Sequence, residues 1–171
     1  MTVSHIGIKV GPGKLDMMVE WYLKVLAPLG YRKHYDLRPD QPAVGLGAKY
    51  PDFWIRECPE AKERTEDDGL HLAFYADTRQ QVREFHAEAM NIGAKDNGAP
   101  GLRPHYTSDY YAAYAFDPEG RNLETHCMAP AFISEPQQKN ILLTAVVTMI
   151  VGGLAYLTNY MGYTGYLSRY L

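Results

Sequence analysis

The stretch that decides the fold is Val3-Ser4-His5-Ile6-Gly7-Ile8-Lys9-Val10, a β-like run with a histidine near its start. Its echo is Gly69-Leu70-His71-Leu72-Ala73-Phe74-Tyr75-Ala76. The two histidines are 71 − 5 = 66 residues apart, which is the size of one small α/β unit. Two copies of one unit, each with a histidine on its first strand, predict a site that the copies share.

A helix and three strands are predicted to follow the first histidine strand. Apolar residues recur at helical spacing from Leu15 to Leu26, and Gly30 lies where a residue that ends the helix is expected. Runs rich in aromatic and β-branched residues predict strands over 31–38, 43–50 and 52–58. The first unit is therefore a βαβββ module over 3–58, and the charged run 59–68 is expected to be a solvated connection.

The second unit repeats this order over 69–129. Thr78 and Gln81 have the spacing of a capping box at the start of a helix, and Gly93 is expected to end that helix. A loop is predicted over 97–101, and strands over 110–116 and 122–127 flank a turn at 117–120. Residues 1–130 are thus expected to form one α+β domain of two modules.

Composition narrows the classes of function. The chain has 171 residues, a formal net charge of −3 and two cysteines without CxxC spacing. That charge gives no reason to expect nucleic acid as a partner, and the cysteines are typical of small apolar residues in a reducing compartment. The first strand begins almost at the first residue, so no N-terminal targeting segment is expected and the domain is predicted to be cytoplasmic.

The C-terminal segment 131–171 differs in composition from the rest. No charged residue occurs over 140–168, and 141–157 is a run of 157 − 141 + 1 = 17 residues without charge. Lys139 precedes this run, and several tyrosines follow it in the manner of an interfacial aromatic belt. The pattern predicts a hydrophobic helix that serves as a membrane tail anchor; the alternative is a helix packed on the domain or on a partner chain.

The alternation of side chains along the strands predicts that three residues of metal-binding type point to the same side of the sheet. On a strand, side chains alternate faces, so His5, His71 and Glu124 all point away from the apolar layer. Two imidazoles and a carboxylate with open positions suit Fe(II), and also Zn, Ni, Co or Mn. The alternative is that each histidine has a purely structural role.

Several motifs together resemble the glyoxalase/bleomycin-resistance/dioxygenase group, the vicinal-oxygen-chelate superfamily. They lie between residues 3 and 129 and include Ser4-His5-Ile6-Gly7, Leu70-His71-Leu72-Ala73-Phe74 and Asp117-Pro118-Glu119-Gly120-Arg121-Asn122-Leu123-Glu124. The resemblance implies that two βαβββ modules form an open, curved mixed sheet or barrel around a divalent metal. It also implies that the metal ligands are His5, His71 and Glu124.

The same resemblance implies an activity. We expect a metal-dependent lyase or isomerase similar to the glyoxalases, which acts on a small oxygenated metabolite chelated through neighbouring oxygens, with Glu124 in a catalytic role. One alternative is an extradiol-type dioxygenase with the same ligands, and another is a metal-free binding protein of the resistance type. Expected partners are a small-molecule substrate, a membrane at 141–157 and a second copy of the chain in a homodimer.

A fourth ligand of the glyoxalase I kind is not expected. When the closing strands of the two modules are aligned on Cys58 and Cys127, Ile55 pairs with Glu124 and cannot bind a metal. Glu57 would reach the site only if the register differed, and it could otherwise pair with His126 as acid and base. A three-ligand site is therefore predicted.

Further side chains are candidates for holding an anionic substrate at the mouth of the barrel. A solvated loop is the alternative for the charged ones, and sheet packing is the alternative for the tyrosine. These candidates are Arg56, Arg103, His105 and Tyr114.

Overall fold

The structure is a computed structural model that describes residues 3–61 and 70–167. The chain divides into two compact units, Met1–Ala129 and Pro130–Leu171. The first unit holds two four-stranded sheets, and each sheet has one parallel and two antiparallel strand pairs. The predicted α+β class with two modules is therefore confirmed. The predicted connection over 59–68 falls largely on residues outside those described.

The two sheets have the same order of strands. In the first module, β1 (Ile6–Val10) leads to α1 (Leu15–Val25), and β2 (Arg32–Asp36), β3 (Ala43–Gly47) and β4 (Phe53–Glu57) follow in the spatial order β1-β4-β3-β2. In the second module, β5 (His71–Tyr75) leads to α2 (Arg79–Asn91). There β6 (Lys95–Leu102), β7 (Tyr111–Phe116) and β8 (Asn122–Cys127) follow in the order β5-β8-β7-β6. The first and last strand of each module are therefore parallel neighbours.

The helices begin and end where the capping and glycine signals in the sequence predict. Thr78 caps α2 through a complete capping box with Gln81. After α1 a short 3-10 turn over Ala27–Leu29 ends at Gly30, whose φ of 80° is left-handed and suits glycine. The apolar face of each helix packs on the buried face of the sheets, and Phe53 of β4 meets Phe74 of β5 edge to face at 5.6 Å. One core therefore joins the two modules.

The predicted loop over 97–101 is wrong, because these residues belong to β6. Turn-like residues such as Gly98 and Pro100 are tolerated there for two reasons. β6 is an edge strand, so a proline without an N–H breaks no inner ladder. Its pairing with β7 also shifts register on both sides of Gly98, where the chain bulges.

A buried polar network also ties the modules together. Arg121, fully buried, donates from Nη1 to Asp117 Oδ2 at 2.8 Å and from Nη2 to the Lys9 carbonyl of β1 at 2.7 Å. The Tyr22 hydroxyl of α1 donates to the same Asp117 oxygen at 2.8 Å. Glu119 accepts from Arg121 and pairs with Lys14 at 3.1 Å. The turn before β8 is thereby fixed to the first strand and helix of the other module.

We expect Glu119→Gln to weaken the fold at neutral pH and to reduce its sensitivity to acid. Partial burial acts to raise the pKa of Glu119, but hydrogen bonds from Arg121 and Lys14 outweigh it, so the pKa lies below the ordinary 4.5. A carboxylate whose pKa is lower in the folded state than in the unfolded state stabilises the fold at every pH above its unfolded-state pKa. This stabilisation is lost as the pH falls through the folded-state pKa. Urea unfolding at neutral and acidic pH measures this effect. Glu20→Gln, on the exposed face of α1, should follow the wild-type pH profile, and a parallel profile for Glu119→Gln would contradict the expectation.

The described part of the second unit contains α3 (Ala131–Ser134) and α4 (Pro136–Leu167). The predicted hydrophobic helix is present, but the predicted tail anchor is not supported. Within the described part of the chain, no helix is both long and apolar enough to cross a membrane. The uncharged run of 17 residues over 141–157 is shorter than the roughly 20 apolar residues that a spanning helix needs.

Candidate functional site

His71 and Glu124 meet on the exposed side of the second sheet. β5 and β8 run parallel, with His71 beside Asn122 and Ala73 beside Glu124, so the parity of both strands puts the two side chains on one face. His71 Nε2 donates to Glu124 Oε2 at 2.8 Å. The His71 side chain is 44% exposed and that of Glu124 only 5%, so this pair is open to solvent on the histidine side.

Two tyrosines hold the other oxygen of Glu124. The hydroxyls of Tyr110 and Tyr114 donate to Oε1 at 2.6 Å and 3.1 Å. Desolvation first, and then the charge and the hydrogen bonds of Glu124, raise the pKa of Tyr114 to about 12 and that of Tyr110 further still. Both phenols therefore remain protonated hydrogen-bond donors at ordinary pH.

His126 completes this cluster. Its ring stacks on Tyr110 at 5.0 Å and 17°, and its Nδ1 lies 3.9 Å from Glu124 Oε1. Burial lowers the pKa of His126, against a smaller opposing effect of Glu124, so the ring is neutral at pH 7. Nδ1 is buried and has no hydrogen-bond partner among the described residues. A neutral imidazole nitrogen with a free lone pair is a metal-ligand type.

The third predicted ligand, His5, lies just before β1 and is exposed, where its Nδ1 is 2.9 Å from the Ser4 hydroxyl. Within the described residues, no group of three His, Cys, Asp or Glu side chains is arranged to hold a metal. The structure thus brings His71 and Glu124 together and does not add His5 to them. Catalytic and ligand roles for all three stay predictions.

The first module has a tryptophan where the second has Glu124. Gly7 pairs with Trp54 as Ala73 pairs with Glu124, so the counterpart of Glu124 is Trp54 and not Ile55. Ile55 is fully buried on the opposite face. The Trp54 ring lies almost parallel to Tyr35, with centroids 6.2 Å apart, and a Cβ at Gly45 would be 2.9 Å from it. An aromatic pair therefore fills this face of the first module.

Glu57 has a different partner from the one considered in the sequence. It lies at the end of β4 beside Val10, and its carboxylate accepts the backbone N–H of Gly13 at 3.0 Å. This contact holds the turn between β1 and α1. The acid–base pairing of Glu57 with His126 has no support in these contacts.

The predicted substrate residues divide into two groups. Tyr114 belongs to the cluster, and Arg103 lies over its ring at 5.5 Å while it donates to the carbonyls of Ala99 and Leu102. His105 packs on Tyr106, whose ring contacts Tyr110 at 5.0 Å. Arg56 is exposed on β4 beside Lys9 in the first module, and no contact among the described residues joins it to the cluster.

Tyr110 was not predicted as a site residue, and His126 was considered only as an acid–base partner of Glu57. Tyr110 is four positions from Tyr114, and His126 is two from Glu124, so parity alone places each on the same face as its neighbour. The register between β7 and β8, which sets Tyr114 directly beside Glu124, could not be known from the sequence.

The donor set fits a divalent cation in part. An imidazole nitrogen and a carboxylate oxygen converge within 2.8 Å, and the unpartnered Nδ1 of His126 lies nearby. Imidazole and carboxylate together suit Zn, Ni, Fe, Co and Mn. His71 and Glu124 are thus the pair that would hold such an ion.

Solved structures with a similar fold carry the names of the group that the motifs resemble. A glyoxylase/bleomycin resistance protein/dioxygenase domain from Frankia sp. EAN1pec aligns with a TM-score of 0.60 at 18% identity, over 75% of this chain and 93% of that one. A glyoxalase/bleomycin resistance protein from Albidiferax ferrireducens T118 aligns with a TM-score of 0.57 at 24% identity, over 72% of this chain and 97% of that one. The fosfomycin resistance protein FosX from Listeria monocytogenes aligns with a TM-score of 0.54 at 17% identity, over 75% of this chain and 94% of that one. No protein-family model and no curated relative matches the chain. The chain therefore shares the vicinal-oxygen-chelate fold.

Proposed function

We propose that the chain is a metal-dependent, glyoxalase-like lyase or isomerase that acts on a small oxygenated metabolite. The observation that carries this proposal is the contact between His71 and the buried carboxylate of Glu124, which the phenols of Tyr110 and Tyr114 hold in place. Placing a carboxylate in a half-closed site is unfavourable unless hydrogen bonds or a cation compensate its charge. The fold shared with proteins named as glyoxalases and dioxygenase-family enzymes supports the same class.

The residues of the chain have distinct roles in this proposal. His71 and Glu124 would hold the ion, and His5, whose side chain is exposed, is the proposed third ligand. A bound divalent cation would polarise the oxygens of the substrate. Access is from the exposed face of His71, beside which Arg103 presents a positive charge over Tyr114. Arg103, with His105 and Arg56, is proposed to attract an anionic group of the substrate.

A metal-free binding protein is the second candidate. Two observations favour it: within the described residues no three ligands are assembled, and the parallel rings of Tyr35 and Trp54 offer an aromatic face on the first module. Such a protein would bind its ligand equally well with and without metal. A dioxygenase with the same ligands would differ from the lyase by its consumption of O2.

Metal binding tests the proposal. Purified protein loaded separately with Fe, Ni, Zn, Co and Mn should bind one equivalent of at least one ion by calorimetry and elemental analysis. His71→Ala is expected to weaken that binding by at least about 100-fold, because even residues that only orient ligands contribute 10- to 100-fold. His86→Ala removes an imidazole on α2 that pairs with Asp96 of β6, and this variant should bind the metal like the wild type. Failure of the wild type to bind any of the five ions would contradict the enzyme proposal and favour the binding protein.

A further inference from the structure

We infer that Tyr110 and Tyr114 are positioning residues that reserve one oxygen of Glu124 for a metal ion. This inference rests on the proposed metal-dependent function and specifies how its carboxylate ligand is presented. The starting observation is an unequal division of contacts. Both phenol hydroxyls donate to Oε1, whereas among the described residues the hydrogen-bond partner of Oε2 is the ring nitrogen of His71.

The unequal hydrogen bonding of the two Glu124 oxygens determines which of them is available to a metal ion. A carboxylate oxygen that already accepts two hydrogen bonds has its lone pairs occupied, so it is a poor metal ligand. Oε2, which accepts one hydrogen bond, keeps a free lone pair and faces His71, whose side chain is 44% exposed. An ion that approaches His71 therefore meets one carboxylate oxygen and not two.

Both tyrosines are themselves held by neighbours. The Tyr110 ring stacks on His126 and makes a tilted contact with Tyr106, each at 5.0 Å between ring centroids. Tyr114 pairs directly with Glu124 in the β7–β8 ladder, and Arg103 lies over its ring. Gly98 permits this close packing, because a Cβ there would be 2.9 Å from Tyr114 Cδ2.

A purely structural role for the phenols would have a different consequence. Buried carboxylates require hydrogen bonds for stability whether or not they bind a metal. If the phenols served stability alone, their loss would change the unfolding free energy but not the metal affinity. If the phenols fix the orientation of Glu124, their removal would let the carboxylate rotate, and its affinity for the metal would fall.

The test measures binding of Co²⁺ and Ni²⁺ alone to the wild type, Tyr110→Phe, Tyr114→Phe and the double variant. Each single change is expected to weaken binding about 10-fold and the double change up to about 100-fold. The visible absorption bands of bound Co²⁺ should also change in the double variant, because a rotated Glu124 alters the ligand set. The matched control is Tyr111→Phe on the same strand, whose ring faces Arg79 and Arg83. It should retain both affinity and spectrum.

The outcomes separate this inference from the proposed function. Wild-type binding with unchanged affinity and spectrum in the double variant would overturn the positioning role and leave the metal-dependent function standing. No binding by the wild type would overturn both. Weakened binding in Tyr110→Phe and Tyr114→Phe, with Tyr111→Phe unaffected, supports the inference even where thermal stability also falls, since Tyr111→Phe and the Co²⁺ spectrum report on the site itself.

Discussion

Replacing Arg121 by methionine is expected to lower the free energy of unfolding by about 3–5 kcal/mol at neutral pH, as breaking one side of a buried ion pair does. The side chains of Arg121 and Asp117 are both fully buried, 2.8 Å apart. Methionine would fill much of the same space but would leave the Asp117 charge with only hydrogen bonds to compensate it. It would also leave the Lys9 carbonyl without its donor from the second module.

Denaturant unfolding followed by circular dichroism measures the effect. Arg32→Met on the exposed strand β2 is the control, and it should stay within about 0.5 kcal/mol of the wild type. The double variant Arg121→Met/Asp117→Asn should be less destabilised than the sum of the single variants, by about 1–3 kcal/mol, because it removes the unpaired charge. A loss below about 1 kcal/mol in Arg121→Met would show that the network contributes little.

The two-module fold could be predicted from the sequence because its signals are local and occur twice. Each module shows a histidine strand, an amphipathic helix and a glycine past the helix end, and the capping box of α2 lies where Thr78 and Gln81 predict it. The strand β6 could not be predicted in this way. Asn97, Gly98 and Pro100 are typical of loops, and only the position of β6 at a sheet edge makes them compatible with a strand.

The site could be predicted only as far as strand parity determines it. Parity placed His71 and Glu124 on one face, and they meet at 2.8 Å. The alignment of Ile55 with Glu124 failed because a shift of one residue moves a side chain to the opposite face of a sheet. The hydrogen-bonded register, which the cysteines do not mark, makes Trp54 the true counterpart. The phenol contacts of Glu124 likewise depend on pairing across strands and not on spacing within one strand.

Glu124→Gln is expected to abolish metal binding while it leaves the fold nearly intact. The amide oxygen can accept the hydrogen bonds of both Tyr110 and Tyr114, which turns the NH2 group towards His71. There the NH2 group donates to Nε2 of the other imidazole tautomer. The NH2 group has no lone pair to offer a cation. The substitution therefore changes the atom that is proposed to bind the ion. Affinity for Ni²⁺ or Co²⁺ should fall by at least about 100-fold, since a ligand contributes more than the residues that orient it.

The unfolding free energy of Glu124→Gln should change by no more than about 1 kcal/mol, because the hydrogen bonds of the phenols are preserved. Calorimetric titration and denaturant unfolding of the same preparation measure the two quantities. Glu57→Gln is the matched control, because its carboxylate accepts the Gly13 N–H at the turn after β1 and is expected to have no part in binding. Equal metal affinity in Glu124→Gln and the wild type would remove Glu124 from the site. A loss in Glu57→Gln as well would instead indicate that Glu57 is a fourth ligand, reached by a rearrangement of that turn.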